Sequence, residues 1–178
     1  MRLQLPPDKL SQAGPVSPIV MVTCVDAEGR ANIITLGMYM TISSKPPLVC
    51  IGVAPQRYSH DLISEQREFT VNVPSIDLKD KMHFCGTNSG RDVYKFKETG
   101  LTPISASKIR SPLIEECYGH LECKVVGSHT YGDHTLFVGE VVAASVDEEL
   151  FKNGRLDIDR AKPIAQKNWD YRTLRRKK

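Results

Sequence analysis

The chain has 178 residues, 40% of them hydrophobic and 25% charged, a size and balance that suit one soluble domain with a proper core. Its net charge of +3 owes much to Arg172, Arg175, Arg176, Lys177 and Lys178 at the C-terminus, so no basic surface for nucleic acid is indicated. No apolar run reaches the length of a membrane span, and the N-terminus lacks a charged start followed by an apolar stretch, so a cytoplasmic protein without a membrane partner is the expectation.

In chain order, residues 1–16 read as an irregular arm whose proline-bearing stretch runs on to Pro18. Residues 19–26 are a continuous β-prone apolar run ending in the turn Asp26-Ala27-Glu28-Gly29. Residues 32–47 follow as its hairpin partner. With the two-residue period of a strand, Ile34, Leu36, Met38, Met40 and Ile42 make a core face. Thr35, Gly37, Tyr39, Thr41 and Ser43 make a small, hydroxylated face. That face suits the wall of a site for a flat polar molecule, and it equally describes a plain amphipathic strand. Pro46-Pro47 breaks the pattern. Residues 48–54, apolar on both faces, read as a central strand.

Ser59 is placed to cap a helix over residues 59–66, with Leu62 and Ile63 turned inward. Residues 68–74 form another strand. Ser75 then caps a helix over 77–84 with Leu78, Met82 and Cys85 along one side. A loop at 86–90 leads to a short helix at 92–98. Residues 113–128 and 134–147 make a long hairpin around Tyr131-Gly132-Asp133. Its second arm sets Leu136, Val138, Val142 and Val146 against Thr135, Gly139, Ala143 and Ser145. Residues 148–178 are a C-terminal segment packed on the rest, and its Trp169 is expected to anchor the tail. There is no internal repeat.

Strands outnumber helices, and the helices are too few to cover both faces of a parallel sheet. The fold expected is mainly β: one domain, an antiparallel Greek-key barrel with flanking helices. The five cysteines (Cys24, Cys50, Cys85, Cys117, Cys123) are odd in number and lack a CxxC pair, which favours buried thiols in a reducing compartment. Cys117, His120 and Cys123 are spaced by three, but on a strand His120 points away from both cysteines, so no metal is expected.

Two loops can hold an anion. Gln56-Arg57-Tyr58-Ser59 ends at a helix start, where free N–H groups, a hydroxyl and a guanidinium can meet a phosphate. Thr87-Asn88-Ser89-Gly90-Arg91 also leads into a helix, with Lys95 one turn on. Neither a GxGxxG fingerprint after a strand nor a GxxxxGK[ST] loop is present.

Several segments together resemble the flavin reductase-like family of FMN-binding split β-barrel proteins, which includes flavoredoxins. They are Ser17 to Thr23, Asn32 to Thr35 and on through Ser43 to Pro47, the loop from Arg57 to His60, Phe69 to Val73, Ser89 to Asp92, Tyr94 to Phe96, and Gly132 to Glu140. They span nearly the whole domain, and their order and spacing are specific where no single one is. The resemblance implies non-covalent FMN. Asn32, Thr35 and the backbone of Met38, Tyr39, Met40 and Thr41 would line the ring, Arg57 and Ser59 would take the phosphate, and Ser89 would serve the second anion loop. Lys95 and His134 would stand beside the flavin, stabilising charge on the reduced ring. Where many members carry Trp, this chain has Gly37-Met38-Tyr39-Met40, so either Met38 or Tyr39 packs on the ring. The resemblance further implies a homodimer. It leaves two functions open: a reductase taking electrons from NADH or NADPH to a small-molecule or protein acceptor, or an electron-transfer protein reduced by a partner.

Overall fold

Seven strands form one antiparallel sheet in the computed structural model, which describes residues 2–174. They are β1 (Val20–Val25), β2 (Ala31–Leu36), β3 (Tyr39–Ser44), β4 (Pro47–Val53), β5 (Glu68–Val73), β6 (Gly119–Tyr131) and β7 (His134–Val146). Their order across the sheet is β2-β1-β5-β6-β7-β4-β3. The outer strands β2 and β3 are consecutive in the chain, with only Gly37 and Met38 between them. Three chain steps cover at most about 11 Å, so the two edges are drawn together and the sheet curls into a barrel. At that corner the Gly52 N–H donates to the Met38 carbonyl at 3.0 Å.

Strand β1 is buried along its whole length because both its faces are covered. Val20, Val22 and Cys24 join Ile34, Ile51, Phe69 and Phe137 inside the barrel. Met21 belongs to a second core with Ile33, Met82, Cys85, Phe96 and Ile114. Three helices serve these cores: α1 (Tyr58–Gln66), α2 (Lys79–Thr87) and α3 (Lys95–Thr99). Leu62 and Ile63 of α1 enter the barrel core, as their spacing predicts, and Met82 and Cys85 of α2 enter the second. The expected antiparallel barrel with flanking helices is the fold observed.

Several local expectations are corrected. Residues 32–47 are two strands, and the corner at Gly37–Met38 turns the pleat over. Before it, Ile34 and Leu36 face the core; after it, Tyr39 does, and Met38, Met40 and Ile42 stand 50%, 58% and 45% exposed. The alternation expected along 134–147 is interrupted by register shifts at Val138/Gly139 and Val141/Ala143. Its buried face is Thr135, Phe137 and Gly139. Ser59 lies inside the first turn of α1 rather than capping it, and Ser75 makes no cap bond to the 3-10 turn at Ile76–Leu78 that leads into α2. The third helix begins at Lys95 rather than residue 92.

The N-terminal arm is not wholly irregular: it carries a 3-10 turn at Pro7–Lys9 and a helical turn at Leu10–Ala13. Ser17–Pro18 pairs with β8 (Ile164–Lys167), itself paired with β9 (Asp170–Thr173). That pairing and buried Ile164 hold the C-terminal segment. Trp169 lies 70% exposed in the β8–β9 turn, its ring edge-on to His83, and is not the anchor. Of the basic tail, Arg172 pairs with Asp170, and Arg175, Arg176, Lys177 and Lys178 lie outside the described residues.

Candidate anion and cofactor site

The strand β4 ends at Val53 and runs through Pro55 and Gln56 into α1. Arg57, the N-cap residue, is extended, and no side chain caps the helix. The His60 N–H donates to the Arg57 carbonyl at 2.8 Å, and the N–H groups of Tyr58 and Ser59 are left for an outside partner. Ser59, fully packed, accepts a hydrogen bond from Asn32 Nδ2 at 2.8 Å across from β2. Asn32 Oδ1 is buried without a partner. With the amide turned over, Oδ1 would accept from the Ser59 hydroxyl and the NH2 group would be offered instead, which an anion could satisfy.

The loop from Asn88 to Arg91 closes over the same point. A Cβ on Gly90 would stand 2.0 Å from Asn32 Oδ1 and 3.0 Å from the Tyr58 ring, so only glycine lets this backbone approach. Arg91 fastens the loop down: its guanidinium lies 5.1 Å over the Tyr58 ring and pairs with Asp61 at 2.5 Å. The two loops read separately from sequence thus form one pocket of about 90 Å³.

Lys95, at the start of α3, supplies the pocket's buried charge. Only 4% exposed, its Nζ donates to the carbonyls of Ile33 (2.6 Å) and Cys85 (2.7 Å) and has no carboxylate partner among the described residues. Burial pulls its pKa below the ordinary lysine value, and the positive charge of Arg57 adds to that. Among the described residues no Asp or Glu lines the pocket. Two like charges facing a carboxylate-free cavity at an uncapped helix start make a local potential that an anion would relieve. Beneath them Cys24 is fully buried, its thiol pushed up to about 12, and it is no candidate nucleophile.

Of the residues predicted for the site, Asn32, Arg57, Ser59, Ser89 and Lys95 line this one pocket. The Thr35 side chain sits one layer behind it: its hydroxyl donates to the Met82 carbonyl at 2.6 Å and lies against Gly86, which does line the pocket. Asn32 and Thr35 point to opposite faces of β2 because they are three residues apart. Met38, Met40 and Thr41 are exposed around the barrel corner, and Tyr39 packs partly against the core. His134, at the head of β7, bonds Asp133 at 2.8 Å. Its neighbour Thr135 pairs with Val53, where β4 leads toward the Arg57 loop. Gln56, Tyr58, Asn88 and Gly90 also line the pocket. Their loops were visible in the sequence, and their meeting was not. Cys117 and Cys123 are buried in separate cores, and His120 is engaged by Ile114 O and Ser145.

A model described as the flavin reductase like domain matches residues 15–172. A protein of Pyrococcus abyssi is 36% identical over 126 residues, covering 71% of this chain and 72% of that one. An NADH:riboflavin 5'-phosphate oxidoreductase of Streptomyces pristinaespiralis is 28% identical over 131 residues, 71% of this chain and 69% of its own. The flavoredoxin of Desulfovibrio vulgaris (Miyazaki F) superposes with a TM-score of 0.86 at 25% identity, over 92% of this chain and 89% of that one.

Proposed function

Because the chain belongs to the flavin reductase-like domain family, we propose that it is an FMN-dependent oxidoreductase whose phosphate-binding end is the pocket between Arg57 and Gly90. The observation that carries this reading is the convergence of two anion loops and Lys95 on one carboxylate-free cavity. About 90 Å³ is far below the roughly 300–1,000 Å³ of a pocket that encloses a whole organic ligand. It suits a phosphate, with the rest of the ligand lying outside.

In this reading the uncapped N–H groups of α1, the Arg57 guanidinium, and the side chains of Asn32, Ser59 and Ser89 hold the phosphate. Lys95 balances its charge from below. Thr35 holds the α2 backbone behind the pocket wall, and the exposed backbone and side chains from Met38 to Thr41 offer a polarisable surface for the ring. Bound FMN would supply hydride acceptance and stepwise electron release. His134, bonded to Asp133 at 2.8 Å, would stand beside the ring and stabilise charge on its reduced form. The stripe of Met38, Met40 and Ile42 is the surface proposed to meet a second copy of the chain in a homodimer.

NADH or NADPH is the proposed electron donor, NADH being the donor that the Streptomyces relative is named for. The likeness to a flavoredoxin favours a second reading, in which a partner protein reduces the flavin. Anaerobic addition of NADH or NADPH to the FMN-loaded protein separates the two: bleaching supports the reductase, and persistent yellow supports the electron-transfer protein. Arg57→Ala tests the pocket. Losing a charge-assisted hydrogen bond worth ~1.5–3 kcal/mol should weaken FMN by about one to two orders of magnitude. Riboflavin, lacking the phosphate, should bind variant and parent alike. Equal losses for both ligands would refute the phosphate assignment.

A further inference from the structure

A second cleft, of about 480 Å³, opens on the other side of the barrel wall from the phosphate pocket. One wall is the turn between β1 and β2, and the other is the irregular segment 102–112. That segment has little regular structure, yet three carboxylates hold it in place by its own backbone. Glu116 accepts from Thr102 N (3.1 Å). Glu122 accepts from Ser107 N (2.9 Å) and Lys108 N (2.6 Å). Glu68 accepts from Arg110 N (2.8 Å) and Ser111 N (3.0 Å). Charge-assisted bonds of this kind are among the stronger ones available, so the cleft is built in advance of any ligand.

The same bonds remove those acids from the cleft. Its lining is mixed: the apolar side chains of Val25, Ala31, Ile104, Ile109 and Pro112 make a floor, with Tyr94 at one side, among polar groups of Gly29, Ser105 and the two arginines. Two guanidinium groups border it. Arg30 lies 5.7 Å over the Tyr94 ring. Arg110 is steered by the carbonyl of Asp26 and the amide oxygen of Gln66, at 3.0 and 2.8 Å. Neither is ion-paired among the described residues, and no Asp or Glu lines the cleft. The nearby Asp26 carboxylate is already held by the Arg30 backbone N–H at 2.7 Å.

We propose that this cleft binds a small organic anion with a flat apolar body, its carboxylate taken by Arg30 and Arg110 and its body laid on the apolar floor. A preformed cleft that combines apolar side chains with a few convergent polar groups is a usual form of a small-molecule site. Guanidinium forks match carboxylate geometry, and one parked over an aromatic ring is weakly hydrated and ready to exchange partners. Arg30 and Ala31 precede Asn32 directly, and Tyr94 precedes Lys95. The bound anion therefore lies back to back with the phosphate pocket while touching none of its phosphate-binding groups.

The test is equilibrium dialysis with 2-naphthoate, with neutral 2-naphthamide as control, run with and without saturating FMN. Naphthoate should bind saturably at millimolar concentration or below, at least tenfold tighter than the amide, and equally in both arms. Arg30→Gln and Arg110→Gln should each weaken it about tenfold or more. Arg110 also holds the β1–β2 turn, so Ile104→Glu provides a variant at an exposed position that puts a carboxylate against both cations. It should abolish naphthoate binding without altering the thermal midpoint. Arg57→Ala should leave naphthoate binding unchanged. Absence of saturable binding, indifference to Arg30→Gln and Ile104→Glu, or loss on Arg57→Ala alone would each overturn the proposal. None of these outcomes depends on whether the protein takes up FMN.

Discussion

At the residue scale the informative feature is a lysine buried without an acid. Lys95 spends two of its three N–H donors on backbone carbonyls, which leaves one donor on a side chain that lines the pocket. Its charged form is disfavoured by desolvation, so its pKa in the folded protein lies below the ordinary 10.5. A phosphate in the pocket favours that charged form, which makes binding and protonation mutually reinforcing. FMN affinity is therefore expected to fall as pH rises through the depressed lysine pKa, in a range where the phosphate is already fully ionised. Lys95→Met should lower affinity at neutral pH and flatten that alkaline decline. Fluorescence titrations of FMN across the alkaline range check both, and a decline that survives the substitution would assign it to another group.

At the scale of elements, the segment 102–112, whose only regular structure among the described residues is the two-residue strand Pro103–Ile104 paired with Leu113–Ile114, shows how an otherwise irregular stretch acquires a fixed path. Glu122, on β6, is buried, which by itself raises a carboxyl pKa. Hydrogen bonds from the Ser107 backbone and hydroxyl and from Lys108 N outweigh that and hold it below 4.5. Its folded pKa is depressed relative to the unfolded chain. The stabilisation is thus fully present above the unfolded value and is lost as pH falls through the folded one. Glu122→Gln should cost about 1–3 kcal/mol at neutral pH, because an amide cannot accept from all these donors. The difference between parent and variant should shrink toward acid. Urea unfolding at neutral and acid pH measures it, and a difference that does not narrow would mean the carboxylate charge is not the source.

At the scale of the whole molecule, the closed sheet leaves an apolar stripe uncovered. Met38 at the corner and Met40 and Ile42 on β3 stand about half exposed. Apolar side chains along an edge strand invite pairing with another chain, and symmetric dimers are the commonest way to bury such a stripe. The proposed homodimer should sediment as such at micromolar concentration. Met40→Asp, at an exposed position, should yield a folded monomer with an unchanged circular dichroism spectrum. A parent protein that sediments as a monomer would leave the stripe to the cofactor alone. The same scale explains the cysteines. All five are buried, and burial pushes the Cys24 and Cys123 thiols up to about 12, so their chemistry is that of small core side chains.

The sequence by itself determined what depends on near neighbours and on a recurring family pattern. The β-prone run after residue 19, the turn at Asp26, the inward pair Leu62 and Ile63, and two loops able to meet an anion are local matters of periodicity and backbone chemistry. The barrel class followed from counting strands against helices, and the family from the order of its segments. Tertiary structure decided the rest. The corner at Gly37–Met38 reversed the pleat because joining the two edges of a curled sheet leaves only two residues for the crossing, and no periodicity within the strand carries that constraint. The two loops became one pocket because Gly90 lets the second loop lie on Asn32, far from both loops in the chain. Lys95 lost its solvent for the same reason: burial is a property of what packs around a residue, and those neighbours come from β2, distant in the chain, as well as from the nearby α2.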